Sequence, residues 1–173
     1  YNACGHMMEF WLRAGVVALG VPLYMQLEKI KKDLVPIMLS ELAGCVVGII
    51  SVVYVAQKMG ASKEVILSLA SKSVTTPIAM EVTKAVGGIP SLTEAGVVSV
   101  GFLCALCVYK TMGFAHVRSA KAQGLSMGTA AHALGTATSM DVSNIHGAYA
   151  SLGLTINGIF TSLFTPSIIA IIC

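Results

Sequence analysis

The stretch SKSVTTPIAM, residues 71–80, sets Lys72 among Ser71, Ser73, Thr75 and Thr76, immediately before Pro77. A lysine offers three N–H donors and a full positive charge, and hydroxyls add donors that can orient an anion. Proline disfavours helix at the residue before it, so a helix can begin afresh there. Such a fresh start exposes unpaired N–H groups and the positive end of the helix dipole, which suits a carboxylate or a phosphate. Lys72, Ser73, Thr75 and Thr76 together describe a small-anion site. A plainer reading stands beside it, in which the hydroxyls satisfy their own helix and Lys72 snorkels to a membrane interface.

A second polar stretch, GLSMGTAAHALGTATSM (124–140), carries Thr129, His132 and Thr136 among Gly124, Gly128 and Gly135. His132 titrates near neutral pH and could bind a carboxylate or relay a proton, with a hydrogen-bonded structural histidine as the alternative. Gly124 and Gly128 form a G-x-x-x-G, whose ordinary meaning is close helix packing. Asn157, in the middle of the last apolar block, reads first as an interhelical hydrogen bond and second as a cavity residue. Glu41 lies inside an apolar block about two turns from its cytoplasmic end, within reach of water.

The elements that must position these residues are membrane-embedded. Of 173 residues 55% are hydrophobic and 11% charged, against about a quarter charged in a soluble domain. From Val142 to Cys173 no Asp, Glu, Lys or Arg occurs, which exceeds the roughly 20 residues needed to cross a hydrocarbon core. Four blocks, 10–27, 34–56, 92–110 and 147–172, read as conventional spans. Between them, 64–90 and 122–141 are interrupted by small and polar residues, the first also by Gly87, Gly88 and Pro90.

Orientation follows from the basic residues. Lys29, Lys31 and Lys32 after the first span, and Lys110, Arg118 and Lys121 after the third, place both loops in the cytoplasm, leaving Lys58 and Lys63 outside. Both assignments hold together only if each interrupted block enters and returns on one side. The chain then reads as hairpin plus span, twice, in units of approximately 64–112 and 122–172, the inverted-repeat plan of secondary transporters. A competing topology, with both blocks crossing as broken helices, moves the loop 110–121 outside, against the charge rule. The expected fold is all-α and polytopic, one transmembrane domain over 1–173 with two discontinuous or re-entrant hairpins. The opening at Tyr1 lacks the pattern of a signal peptide, and further spans are expected ahead of it.

Several function classes drop out. The formal charge of +3 is spread over loops, as membrane orientation requires, and does not suggest nucleic-acid binding. Cys4, Cys45, Cys104, Cys107 and Cys173 form no disulfide framework. Phosphate-binding loop, zinc spacing and nucleophile elbow are absent, so no catalytic residue, metal or cofactor is assigned and the chain reads as a non-enzyme. Any energy source would be an ion gradient.

With VVALGVPLYMQL (16–27), SKSVTTPIAM (71–80), VGGIPSLT (86–93) and GLSMGTAAHALGTA (124–137) in view, the chain from Arg13 onward resembles the LrgB/CidB family, which takes in the membrane domain of the plastidal glycolate/glycerate translocator. The resemblance implies a multi-pass protein of the cell (inner or plasma) membrane. It implies transport of small monocarboxylates such as pyruvate, glycolate or glycerate, and antiholin-like control of murein hydrolases and autolysis with a holin-like LrgA/CidA partner. By position it carries over Lys72, Ser73, Val74, Thr75, Thr76 and Pro77, then Thr129, His132, Gly135 and Thr136, and from the early span Pro22, Tyr24 and Gln26. Many relatives have a basic residue where this chain has Thr138 and an acidic one where it has His146; if that basic residue helps hold an anion, the job falls more heavily on Lys72 here. Two functions follow: a carboxylate carrier, and an antiholin-like regulator that assembles with itself or a partner through surfaces such as Gly44 and Gly48.

Overall fold

The computed structural model describes residues 24, 25 and 27–172. All but the end of the first expected span lies outside these residues, as do Pro22 and Gln26. The described elements are helices α1 (Leu27–Lys32), α2 (Leu34–Lys58), α3 (Lys63–Leu69), α4 (Thr76–Val86), α5 (Pro90–Phe114), α6 (Ala120–Val142) and α7 (Asn144–Ile172), with no strand among them. Three of these, α2, α5 and α7, are long and apolar enough to cross a membrane. They match the expected spans at 34–56, 92–110 and 147–172 within a turn or so at each end.

The block 64–90 is a hairpin. Pro77 does not interrupt a helix; it sits in the first turn of α4 behind an extended Thr75, where its missing N–H costs nothing. Gly87 closes α4 in the left-handed region at φ 83°, a conformation that favours glycine, and Pro90 opens α5. The arms α3 and α4 are tied by hydroxyls: Thr93 of α5 donates to Thr83 at 2.8 Å, Thr83 and Ser71 lie 3.0 Å apart, and Ser71 donates to the Ala79 carbonyl at 3.1 Å. The Ile89 N–H donates to Ser68 Oγ at 2.7 Å, so the end of the returning arm meets the entering arm. Buried hydroxyls without such partners would be costly in hydrocarbon.

The block 122–141 also turns back. Its helix α6 is broken at His132, whose φ of 44° and ψ of −134° are not helical. A side chain on Gly135 would meet the Met127 carbonyl at 2.6 Å, whereas residues eight apart in a continuous helix are separated by about 12 Å. At the foot of the hairpin, His146 Nε2 donates to Gln123 Oε1 at 2.9 Å, and its Nδ1 lies 2.8 Å from the Ser143 hydroxyl. Entry and exit of α6 thus lie at one level.

The two hairpins enter from opposite ends of α5: Thr93 at its start holds the first, and Tyr109 near its end donates to Ser139 of the second at 2.8 Å. Lys121 at the foot of the second hairpin pairs with Asp33 ahead of α2 at 2.5 Å, and Tyr149 donates to the same carboxylate at 2.9 Å. In the competing topology Lys121 would lie across the membrane from Asp33. The contact supports the hairpin arrangement.

Apolar clusters join α2, α3 and α7 through Cys45, Ile49, Val53, Ile66 and Ile169, and α1, α2 and α7 through Ile30, Ile37, Tyr149 and Ile156. Phe102, Leu103, Leu106 and Leu163 point outward; acyl chains are as apolar as leucine, so these faces suit a bilayer.

Candidate functional site

The hairpin tips meet beside the middle of α7. There Asn157, only 2% exposed, donates through its two amide hydrogens to the Ser73 carbonyl at 3.1 Å and the Thr129 carbonyl at 3.0 Å. These carbonyls are freed because each tip departs from continuous helix, and one asparagine satisfies both. Thr161, one turn further, donates to Asn157 Oδ1 at 3.4 Å. Asn157 is therefore the joint between the two hairpins, more specific than the single interhelical bond expected of it.

Close approach of α6 to α7 makes this joint feasible. A side chain on Gly124 would come within 2.4 Å of the His146 carbonyl, and one on Gly128 within 2.0 Å of the Ala150 carbonyl. The G-x-x-x-G thus packs backbone on backbone, as its spacing indicates.

On one side of the joint lies a cavity of about 390 Å³, lined by Lys72 and Ser73 from the first tip, Ser126 and Thr129 from the second hairpin, Glu41 from α2 and Asn157. It lies beside mid-length positions of α2, α5 and α7, including Gly44, Cys104 and Thr161. Lys72 Nζ donates to Ser73 Oγ at 3.2 Å and makes no ion pair among the described residues. The lysine is half-buried at mid-depth, which is not the position of a side chain snorkelling from a helix end. Of the described residues this is the place where a cation, several hydroxyls and enclosed space coincide.

On the other side is a second, more apolar cavity of about 810 Å³, lined by Thr75, Thr76, Pro77, His132 and Thr155 among aliphatic neighbours. The expected single site is corrected accordingly: Lys72, Ser73 and Thr129 share one cavity, while Thr75, Thr76 and His132 line another. The first tip passes from one cavity to the other at the fully buried Val74, so Lys72 and Ser73 fall on one side and Thr75 and Thr76 on the other. His132 is 5% exposed and its Nε2 lies 2.9 Å from the Val97 carbonyl, so the ring pins the bend of α6 to α5. Its positive φ is a strained conformation for a non-glycine residue, held by that contact.

Other expected residues are structural. Thr136 is fully buried and donates to the His132 carbonyl at 2.9 Å, lining neither cavity. Tyr24 is 79% exposed and away from both, and Gln26 is outside the described residues. Gly135 packs between the arms of its hairpin, while Gly87, Gly88 and Pro90 shape the exit of the first. Thr138 and His146, where the chain departs from its resemblance, lie on the return arm and foot of the second hairpin, outside the cavity with Lys72.

Sequence reasoning missed how far Glu41 is from water. It is 1% exposed, with Oε1 2.5 Å from Thr129 Oγ1. Its being the sole acidic residue within the apolar run 34–56 was the available signal. Cys45 and Cys104, read as packing, border the same cavity as free thiols. No cluster of metal-ligating residues occurs among the described residues.

The LrgB-like family matches residues 1–171. An uncharacterized protein YxaC of Bacillus subtilis is 32% identical over 169 residues, covering 98% of this chain and 74% of the relative. Antiholin-like proteins LrgB of Bacillus cereus and Bacillus anthracis are 32% identical over 169 residues, covering 96% of this chain and 72% of each relative. No solved structure matches.

Proposed function

We propose that this chain, which belongs to the LrgB-like family, is a carrier of small monocarboxylates in the cell membrane. The observation that carries the reading is the cavity at the joined hairpin tips, where Lys72 stands among Ser73, Ser126 and Thr129 at mid-depth. A charge inside the membrane is expensive and is ordinarily functional when it faces a cavity. Ammonium and hydroxyl donors match a carboxylate's acceptor-only oxygens, and about 390 Å³ is at the small end of ligand cavities, roughly 300–1,000 Å³. The anion ligands in this reading are Lys72 and the hydroxyls; an acidic side chain such as Glu41 is not one of them.

Discontinuous hairpins entering from opposite ends give such a carrier its access to both sides, since either can rock against the site they share. The test is uptake of labelled pyruvate, glycolate and lactate into proteoliposomes holding the protein. Saturable uptake that Lys72→Ala removes while the variant still inserts supports the carrier; unchanged uptake in the variant, or none in the parent protein, counts against it.

A second reading is favoured by the relatives named antiholin-like: a membrane regulator that acts on murein hydrolases through a holin-like partner. In that reading outward faces matter more than Lys72. Substitution of Leu103 and Leu106 on α5, both more than half exposed, would impair it while leaving carboxylate flux intact.

A further inference from the structure

The cavity holds a group that the carboxylate reading leaves unused. Glu41 Oε2 is buried and has no hydrogen-bond partner among the described residues, a costly state for a carboxyl oxygen. Its other oxygen contacts Thr129, whose single hydroxyl proton has two acceptors, Glu41 Oε1 at 2.5 Å and the Leu125 carbonyl at 2.8 Å. When that proton goes to Leu125, the Glu41 contact requires a proton on the carboxyl itself. The geometry accommodates Glu41 both ionised, accepting from Thr129, and neutral, donating to it.

We propose that Glu41 is the proton-coupling residue of the carrier, taking up one proton when a carboxylate occupies Lys72 and releasing it when the site empties. This rests on the carrier reading above. Among the described residues, the titratable and charged groups that border the cavity with it are Cys45 on its own helix, Lys72 on the first hairpin tip and Cys104 on α5; α6 and α7 contribute the neutral Ser126, Thr129, Asn157 and Thr161.

The charge inventory explains the coupling. In the empty cavity, ionised Glu41 and protonated Lys72 sum to zero. An entering carboxylate takes Lys72 as its counter-ion and leaves Glu41 uncompensated, unless a proton from the water on the entry side binds the carboxyl. The loaded cavity, with Lys72 positive, substrate negative and Glu41 neutral, again sums to zero. Both forms can change orientation without carrying net charge through hydrocarbon, where charge is most costly. The cargo is one carboxylate and one proton, and the proton returns to water on the exit side with the substrate.

The test uses the full chain in proteoliposomes with labelled pyruvate, in two modes: accumulation driven by an imposed proton gradient, and counterflow at equal pH on both sides. The parent protein should accumulate pyruvate whatever potassium potential is imposed with valinomycin. Glu41→Gln keeps an acceptor for Thr129 but stays neutral; it should retain counterflow within about threefold and lose accumulation by about tenfold or more. Accumulation retained in E41Q overturns the inference. Counterflow lost in an E41Q protein that remains monodisperse also overturns it, because the residue then serves binding or folding. If E41Q does not fold, Glu41→Asp decides: a titrating carboxyl shortened by one methylene should shift the pH of half-maximal uptake, and an unchanged profile overturns the inference. Absence of flux in the parent protein, in either mode, defeats the carrier reading itself, whereas proton-independent uptake defeats the coupling alone.

Discussion

Asn157 and Lys72 occupy the same few ångströms and carry different burdens. Asn157 satisfies two carbonyls that no helix can satisfy, and an interhelical bond of this kind in a membrane contributes about 0.6–1.7 kcal/mol. Asn157→Leu leaves both carbonyls unpaired and should destabilise the protein by about 2 kcal/mol, read as a lowered melting temperature in detergent. Lys72 donates to Ser73 alone, and its removal leaves no buried acceptor of consequence. Lys72→Ala should therefore lower carboxylate uptake by about tenfold or more with little change in melting temperature. The opposite pattern, a stability loss with normal uptake, would make Lys72 structural.

Hairpins place higher demands on small residues than spans do, because two arms and a neighbouring helix share the width of one. Gly128 has the tightest approach, with the Ala150 carbonyl 2.0 Å from where a Cβ would lie. Gly128→Val must push α6 away from α7, breaking the Asn157 bond to Thr129, and should cost about 1–3 kcal/mol as overpacking plus the joint. A melting temperature equal to the parent's would show that α6 does not pack on α7 as described. By contrast Gly48, with nothing near its Cβ position, should accept alanine without loss.

For the whole molecule, topology is the quantity at stake. Ser62 and Ser119 are both exposed, at the outer ends of the two hairpins. Re-entrant hairpins put them on opposite sides of the membrane, and fully crossing blocks put them on the same side. Ser62→Cys and Ser119→Cys, introduced singly in a background with the five native cysteines replaced, should react with a membrane-impermeant maleimide from opposite faces. The foot of the second hairpin adds a pH test. Hydrogen bonds from Lys121 and then Tyr149 hold the Asp33 carboxyl below the usual carboxylate range, so the folded form binds a proton less readily than the unfolded form. That contribution is fully present above the unfolded value of about 3.9 and is lost as pH falls through the lower folded value. Asp33→Asn should flatten the acid limb of a melting-temperature profile, and, since both partners are partly exposed, added salt should weaken the same contribution.

The sequence alone determined the membrane environment, three spans and the two hairpins, because length, apolar content and the side preference of lysines act locally and additively along a chain. It also singled out Lys72 and its hydroxyl neighbours, because a cation beside a proline is conspicuous in an apolar run. Tertiary structure decided the rest. The first tip passes between the cavities at the buried Val74 and the second hairpin bends at His132, so Thr75, Thr76 and His132 separate from Lys72 although they are its neighbours in sequence or motif. Glu41, Thr129 and Asn157 come together from three separate helices, and no spacing rule within any one of them records the meeting. A contact between distant segments depends on how helices pack, and only the folded chain defines that.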